Sequence, residues 1–174
     1  MLDNYLDDLI ASQSLAHIYR LPDEASRFSL AGVLAHTEEW VLLVIFDREG
    51  NYDGLRYLRK QAILRIKERS GYISSRCVAA SLVRRDELMF AGGAKNLQMI
   101  LERCRSHAPI ANIVTNDLII TGRVDKVTED WMCFEELDME VAQFNGPLWI
   151  RQEDIVYVEV DTPQLRQFLR LVTV

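Results

Sequence analysis

The segment Tyr57-Leu58-Arg59-Lys60-Gln61-Ala62-Ile63-Leu64-Arg65-Ile66 recurs in altered form as Trp149-Ile150-Arg151-Gln152-Glu153-Asp154-Ile155-Val156-Tyr157-Val158. An aromatic, an aliphatic, an arginine, two polar residues and a run of aliphatic positions fall in one register. Self-similarity at long range constrains architecture before any local propensity, because both copies must bury the same pattern. The match extends upstream. Thr37-Glu38-Glu39-Trp40 aligns with Thr128-Glu129-Asp130-Trp131, Gly32-Val33-Leu34 with Gly122-Arg123-Val124, and Leu15–Arg20 with Ile110–Thr115. The copies stand 95 residues apart at Leu15 and Ile110, 90 at Gly32 and Gly122, and 92 at Tyr57 and Trp149. The slips fall in polar stretches such as Asp23-Glu24-Ala25-Ser26, where loops tolerate insertion. Two copies of one small β-rich unit are expected.

Each copy is about 65 residues, near the lower limit for a single core, so the units should pack on each other. The boundaries predicted are 1–68 and 94–161 for the units, 69–93 for an intervening segment and 162–174 for a C-terminal helix. Apolar residues make up 49% of the chain, enough for a core. No apolar run approaches the roughly 18 residues a membrane span needs. The N-terminus is acidic, unlike a signal peptide. Cys77, Cys104 and Cys133 lack metal-ligand spacing and read as buried reduced thiols. A cytoplasmic chain is expected.

Helical spacing marks Leu2, Tyr5, Leu6, Leu9 and Ile10, then Leu97, Ile100, Leu101 and Cys104, and after Pro163 the set Leu165, Phe168, Leu169 and Val172. Strands are expected at Leu15–Leu21 and Ile110–Thr115, from Leu30 and Ile119, and from Trp40 and Trp131. Turns at Glu49-Gly50-Asn51 and Asn145-Gly146-Pro147 should hand over to the last strand pair of each unit. The result is a mostly β chain with short helices, each unit a helix followed by about five strands. Closure into barrels would remove exposed strand edges.

Net charge is −6, which argues against wholesale nucleic-acid binding. Residues 1–67 carry 8 basic and 10 acidic side chains, and residues 94–160 carry 6 and 12. Between Gly54 and Arg85, nine cations face only Glu68. Arg56, Arg59, Lys60, Arg65, Lys67 and Arg69 in that window, with Arg151 in the second copy, are the candidate polyanion or RNA contacts; a solvated basic face is the plainer alternative. Strand parity would put Arg59, Arg65, Lys67 and Arg69 on one side. Trp40, Tyr57, Trp131 and Trp149 occupy matched positions and either stack bases or plug the ends of the units. The carboxylates Glu129, Asp130, Glu135, Glu136, Asp138 and Glu140 could hold a cation, line a solvent-facing strand or oppose the basic window of another chain. They lack the glycine of a calcium loop. His17 and His36 could meet across neighbouring strands. No nucleophile elbow, P-loop or HExxH pattern occurs, so no catalytic residue, cofactor or metal is assigned.

A helix, five short strands and a terminal aliphatic-Arg-x-x-x-Ile-x-x-Ile segment together resemble the Sm/LSm-like barrel family. Leu58-Arg59 with Ile63 and Ile66, and Ile150-Arg151 with Ile155 and Val158, fit its second motif. Gly32-x-Leu34 with Glu38, and Gly122-x-Val124, fit the opening of its first. The resemblance implies two tandem five-stranded Sm-like units, with strand edges that add to one another as such barrels do in rings. It also implies loops that hold bases and phosphates. Several positions depart from the family. Lys60 and Gln152 replace the glycine after the arginine, Leu42 and Met132 stand where its RNA-contacting asparagine falls, and Thr128 replaces an acidic residue. The nucleobase pocket is therefore expected to be absent or rebuilt. The leading expectation is a non-enzymatic assembly module acting by self-association or on another protein. The alternative is RNA or another polyanion bound along Gly54–Arg85.

Overall fold

The computed structural model of the chain describes residues 1–20, 28–68 and 96–172. The segment predicted to intervene between the units, together with Arg69, lies outside these residues. The first half runs α1 (Leu2–Ser12), β1 (Leu15–Arg20), β2 (Ser29–His36), β3 (Trp40–Phe46), β4 (Tyr52–Arg59), a 3-10 turn (Lys60–Ala62) and β5 (Ile63–Glu68). The second runs α2 (Leu97–His107), β6 (Ala111–Thr115), β7 (Ile119–Val127), β8 (Trp131–Asp138), β9 (Gln143–Arg151), a 3-10 turn (Gln152–Asp154) and β10 (Ile155–Val160). It ends in α3 (Pro163–Val172). No helix among the described residues is long and apolar enough to cross a membrane.

Helix ends follow local chemistry. The Asn96 side chain accepts the Met99 N–H at 2.9 Å and opens α2. Thr162 Oγ1 accepts the Leu165 N–H at 3.2 Å and opens α3. The apolar stripe of α1 buries Leu6 and Leu9 against Ala16, Ile18, Val41, Leu43 and Leu58. Leu6→Ala is expected to cost about 2–5 kcal/mol, because the site is closed on all sides and leaves a cavity; urea denaturation would measure it.

The ten described strands join one antiparallel sheet in the order β5-β1-β2-β3-β4-β10-β6-β7-β8-β9. Within each half the order is fifth, first, second, third, fourth. The halves meet where β4 pairs β10, with Tyr157 opposite Leu58, Val158 opposite Tyr57 and Glu159 opposite Arg56. Barrel closure is not observed. The edges that β4 and β10 would otherwise expose pair with each other, and among the described residues the sheet stays open with β5 and β9 as its rims.

Register repeats in detail. The shift between Val33 and Ala35 in the β2–β3 pairing has its counterpart between Val124 and Lys126 in β7–β8. Trp40 faces Arg59, and Trp131 faces Arg151. Ala16 pairs with Ala31 and Ala111 with Gly122, so Gly122 occupies the place of Ala31 rather than of Gly32. One expected turn is also misplaced. Asn145, Gly146 and Pro147 lie inside β9, where Gly146 (φ +93°) sits in an irregular stretch between the pairs Leu137–Phe144 and Glu135–Pro147. The reversal comes earlier, because the Asp138 carboxylate accepts the Glu140 N–H at 2.9 Å and the Val141 N–H at 3.3 Å. In the first half the turn falls as expected, with Asp47 Oδ1 accepting from Glu49 and Asn51.

A second core joins the halves. It gathers Leu97, Ile100, Leu101 and Cys104 of α2, Ile113, Phe134, Ile150 and Val158 of the second half, and Trp40, Leu42, Leu55 and Tyr57 of the first. Burial pushes the Cys104 thiol up to about 12, which keeps it protonated and inert. Cys133 is likewise a buried free thiol. The amphipathic α3 covers Ile110 and Leu137 with Leu165, Phe168 and Leu169.

Candidate functional site

The structure divides the basic window by depth. Arg56 is buried at the seam. Its Nε donates to Glu159 Oε1 at 2.9 Å, its Nη2 reaches the same oxygen, and its Nη1 donates to Ser29 Oγ at 2.6 Å. Arg20 also donates to Ser29 and, through Nη2, to the Tyr157 hydroxyl at 3.1 Å. Asn112 donates to Glu159 Oε2 at 3.2 Å and accepts from Thr121 at 2.8 Å. This buried polar chain crosses from β1 to β7 and ties the halves together. Sequence reading overlooked it; its only signal was polar residues set among apolar strand positions.

Arg59 points across the seam and donates to the carbonyls of Ile155 and Gln152, each at 3.0 Å, with its guanidinium 4.9 Å from the Trp40 ring centroid. Lys60 reaches Asp3 of α1 and His36 Nδ1, the latter at 3.1 Å. His36 Nε2 in turn lies 3.0 Å from Asp7. That cluster clamps α1 to the first half. His17 does not meet His36: it sits opposite Leu30 and stacks on Phe28 at 3.9 Å, while His36 is at the far end of β2. Arg65 and Lys67 are exposed on the rim strand β5, Arg65 lying 3.9 Å over Tyr19. The single odd-numbered basic face does not form, because the 3-10 turn at Lys60–Ala62 puts Arg59 and Arg65 on different strands. Arg151 is exposed and pairs with Glu153 at 2.9 Å and Asp154 at 3.0 Å.

The matched aromatics have opposite fates. Trp40 and Tyr57 are 1% and 3% exposed, whereas Trp131 and Trp149 are 42% and 50% exposed. The cause is α2. It fills the core against the Trp40 and Tyr57 face of the first half, and Tyr57 titrates far above its ordinary range through burial first and its neighbour Cys104 second. No described helix does the same for the second half. No family model, curated protein or solved structure matches the chain. The reading of this face therefore rests on the contrast between the halves. Trp40→Ala is expected to cost about 3–5 kcal/mol and Trp149→Ala about 0.5 kcal/mol or less, measured side by side by chemical denaturation.

Between the halves, at the α2 N-terminus, lies a cleft of about 520 Å³ lined by Glu39, Arg59, Leu97, Trp131, Arg151 and Gln152, among others. Glu129, Asp130 and Glu153 also line it, so carboxylates outnumber guanidiniums. Both guanidiniums are already engaged, Arg59 by carbonyls and Arg151 by carboxylates. Leu42 and Met132 are buried in the core, so neither reaches the cleft surface. Lys60 and Gln152 enter their 3-10 turns without positive φ, so replacing glycine there brings no backbone strain. Of the acidic cluster, Glu135 is paired with Arg123 and Asp138 caps its turn; among the described residues no group of His, Cys, Asp and Glu could hold a metal ion.

Proposed function

We propose that the chain is a tandem of two Sm-like units that works as a non-enzymatic assembly module in the cytoplasm, docking protein through the aromatic face of its second half. The tandem reading is supported by one element order used twice, by register shifts at matching positions and by a 3-10 turn before the fifth strand of each half. One observation carries the docking reading: Trp131 and Trp149 are open to solvent where their counterparts Trp40 and Tyr57 are packed. Exposed tryptophans beside an arginine are the composition of a protein-binding hot spot. Polyanion binding has less to stand on. Of its six candidates in the first half, Arg56, Arg59 and Lys60 are spent on internal contacts, and among the described residues Arg65 and Lys67 are the exposed ones, Arg65 lying over the Tyr19 ring.

A photo-reactive phenylalanine analogue placed at position 149 in living cells distinguishes the readings. The expected product is a protein adduct at high yield. An RNA adduct would favour the polyanion reading. Absence of any adduct would mean that the face is bare in the cell and the assembly reading fails.

A further inference from the structure

We infer that the Trp131–Trp149 face takes a basic amphipathic helix of a partner protein, laid on it as α2 lies on the matched face of the first half. The inference rests on the docking reading above and names the chemistry of the occupant. The duplication supplies the template. In the first half the facing pairs Trp40–Arg59, Leu42–Tyr57 and Val44–Leu55 share one face of β3 and β4. The helix α2 meets that face with the buried stripe Leu97, Ile100, Leu101 and Cys104, and it brings Arg103 and Cys104 close to Tyr57. In the second half the corresponding pairs are Trp131–Arg151, Cys133–Trp149 and Glu135–Pro147. Trp131 and Trp149 stand exposed around the buried Cys133, one beside it along β8 and the other across from it on β9. Among the described residues no helix lies over them. Aliphatic anchors at helical spacing are the usual way in which a partner helix engages an apolar surface of this kind.

The differences between the two faces give the sign of the partner. Gly32 opposite Val44 becomes Arg123 opposite Glu135. Asp125 and Glu135 both stand near Cys133, whose thiol is pushed up by burial first and by these two carboxylates next. At the other end Glu129 and Asp130 lead into Trp131, and Glu153 and Asp154 hold Arg151. Against these six carboxylates stand Arg123, Lys126 and Arg151, and the first and last of them are already paired. The cleft described above continues this surface past Trp131 with Glu39, a further carboxylate. A helix with lysine or arginine flanking its apolar stripe is therefore favoured, and an acidic one is repelled. That sets aside α1 of a second copy, which carries Asp3, Asp7 and Asp8.

The probe is a labelled synthetic helix with leucine or isoleucine at the spacing of Leu97, Ile100, Leu101 and Cys104 and lysine elsewhere, titrated against the full chain by fluorescence anisotropy. A second helix has the same stripe with glutamate in place of lysine. The lysine helix should bind at least about tenfold more tightly than the glutamate one and should weaken as salt is raised. Trp131→Ala and Trp149→Ala should each weaken it about tenfold or more, whereas Arg65→Gln with Lys67→Gln, at the opposite end of the sheet, should leave it unchanged. Glu129→Lys with Asp130→Lys should reverse the preference between the two helices. Equal binding of both helices, or binding that ignores both tryptophans, would overturn the inference. So would an adduct at position 149, in the cellular cross-linking above, with RNA, with a second copy of this chain or with a protein segment that is not a basic helix. If the lysine helix fails to bind while position 149 still captures another protein, the inference is overturned and the docking reading survives. If position 149 captures nothing, both fail.

Discussion

Glu159→Ala should destabilise the chain by about 3–5 kcal/mol, because it leaves the buried Arg56 guanidinium without its counter-charge. Arg56 and Glu159 sit opposite each other in the strand pair that, among the described residues, joins the halves, and Arg20 and Asn112 lean on the same carboxylate network. The loss should appear in one cooperative transition, since the second core spans both halves and neither can open alone. Arg56→Met combined with Glu159→Leu should recover much of it, as a packed apolar pair is often no worse than a buried ionic one. The pair also sets an acid limit. Burial by itself would raise the Glu159 pKa, but the charge and hydrogen bond of Arg56, helped by Asn112 and Arg20, overturn that and hold it below the ordinary glutamate value. A carboxyl whose folded pKa is depressed contributes stability that is full above its unfolded pKa and fades as pH falls through the folded one. Stability of the parent should therefore drop below the ordinary glutamate range, and the double variant should lose that part of the acid sensitivity. Denaturation curves at stepped pH measure both.

Gly122→Ala should be nearly as damaging. A Cβ there would lie 2.0 Å from the Glu135 carbonyl oxygen and 2.7 Å from Phe134 Cε1. A backbone oxygen in a strand pair cannot step aside as a side chain can, so β7 and β8 must separate, at about 3 kcal/mol or more. Gly32→Ala is the control. Its added carbon meets Val44 Cγ1 at 3.1 Å and Leu15 Cδ2 at 3.5 Å, both side-chain ends, and should cost about 1 kcal/mol or less. The two glycines look equivalent in the sequence match. The register that aligns Gly122 with Ala31 separates them, and thermal midpoints of the two variants would show it.

Periodicity made the helices and most strand starts legible. Leu6 and Leu9 face the core as their spacing demands, and strands begin at Trp40 and Trp131 as expected. What failed depended on contacts between residues far apart in the chain. Arg56 and Arg65 are alike in sequence, yet one is buried by pairing of β4 with β10 and the other stays on a rim. Trp40 and Trp131 align, yet only one receives α2. The Asn145-Gly146-Pro147 stretch has turn composition, but the Asp138 carboxylate closes the turn earlier and the Gly-Pro pair is taken up as an irregularity in an edge strand. Barrel closure failed for a related reason: the argument from exposed edges considered each unit alone, whereas each supplies an edge to the other.

Amide hydrogen exchange, followed residue by residue, tests the central claim that the β4–β10 seam joins the two halves into one sheet whose rims, among the described residues, are β5 and β9. Amides of β4 and β10 should exchange as slowly as those of the inner strands, whereas amides of β5 and β9 that face away from their neighbouring strand should exchange faster. A β4–β10 seam that exchanges as freely as the rims would contradict it.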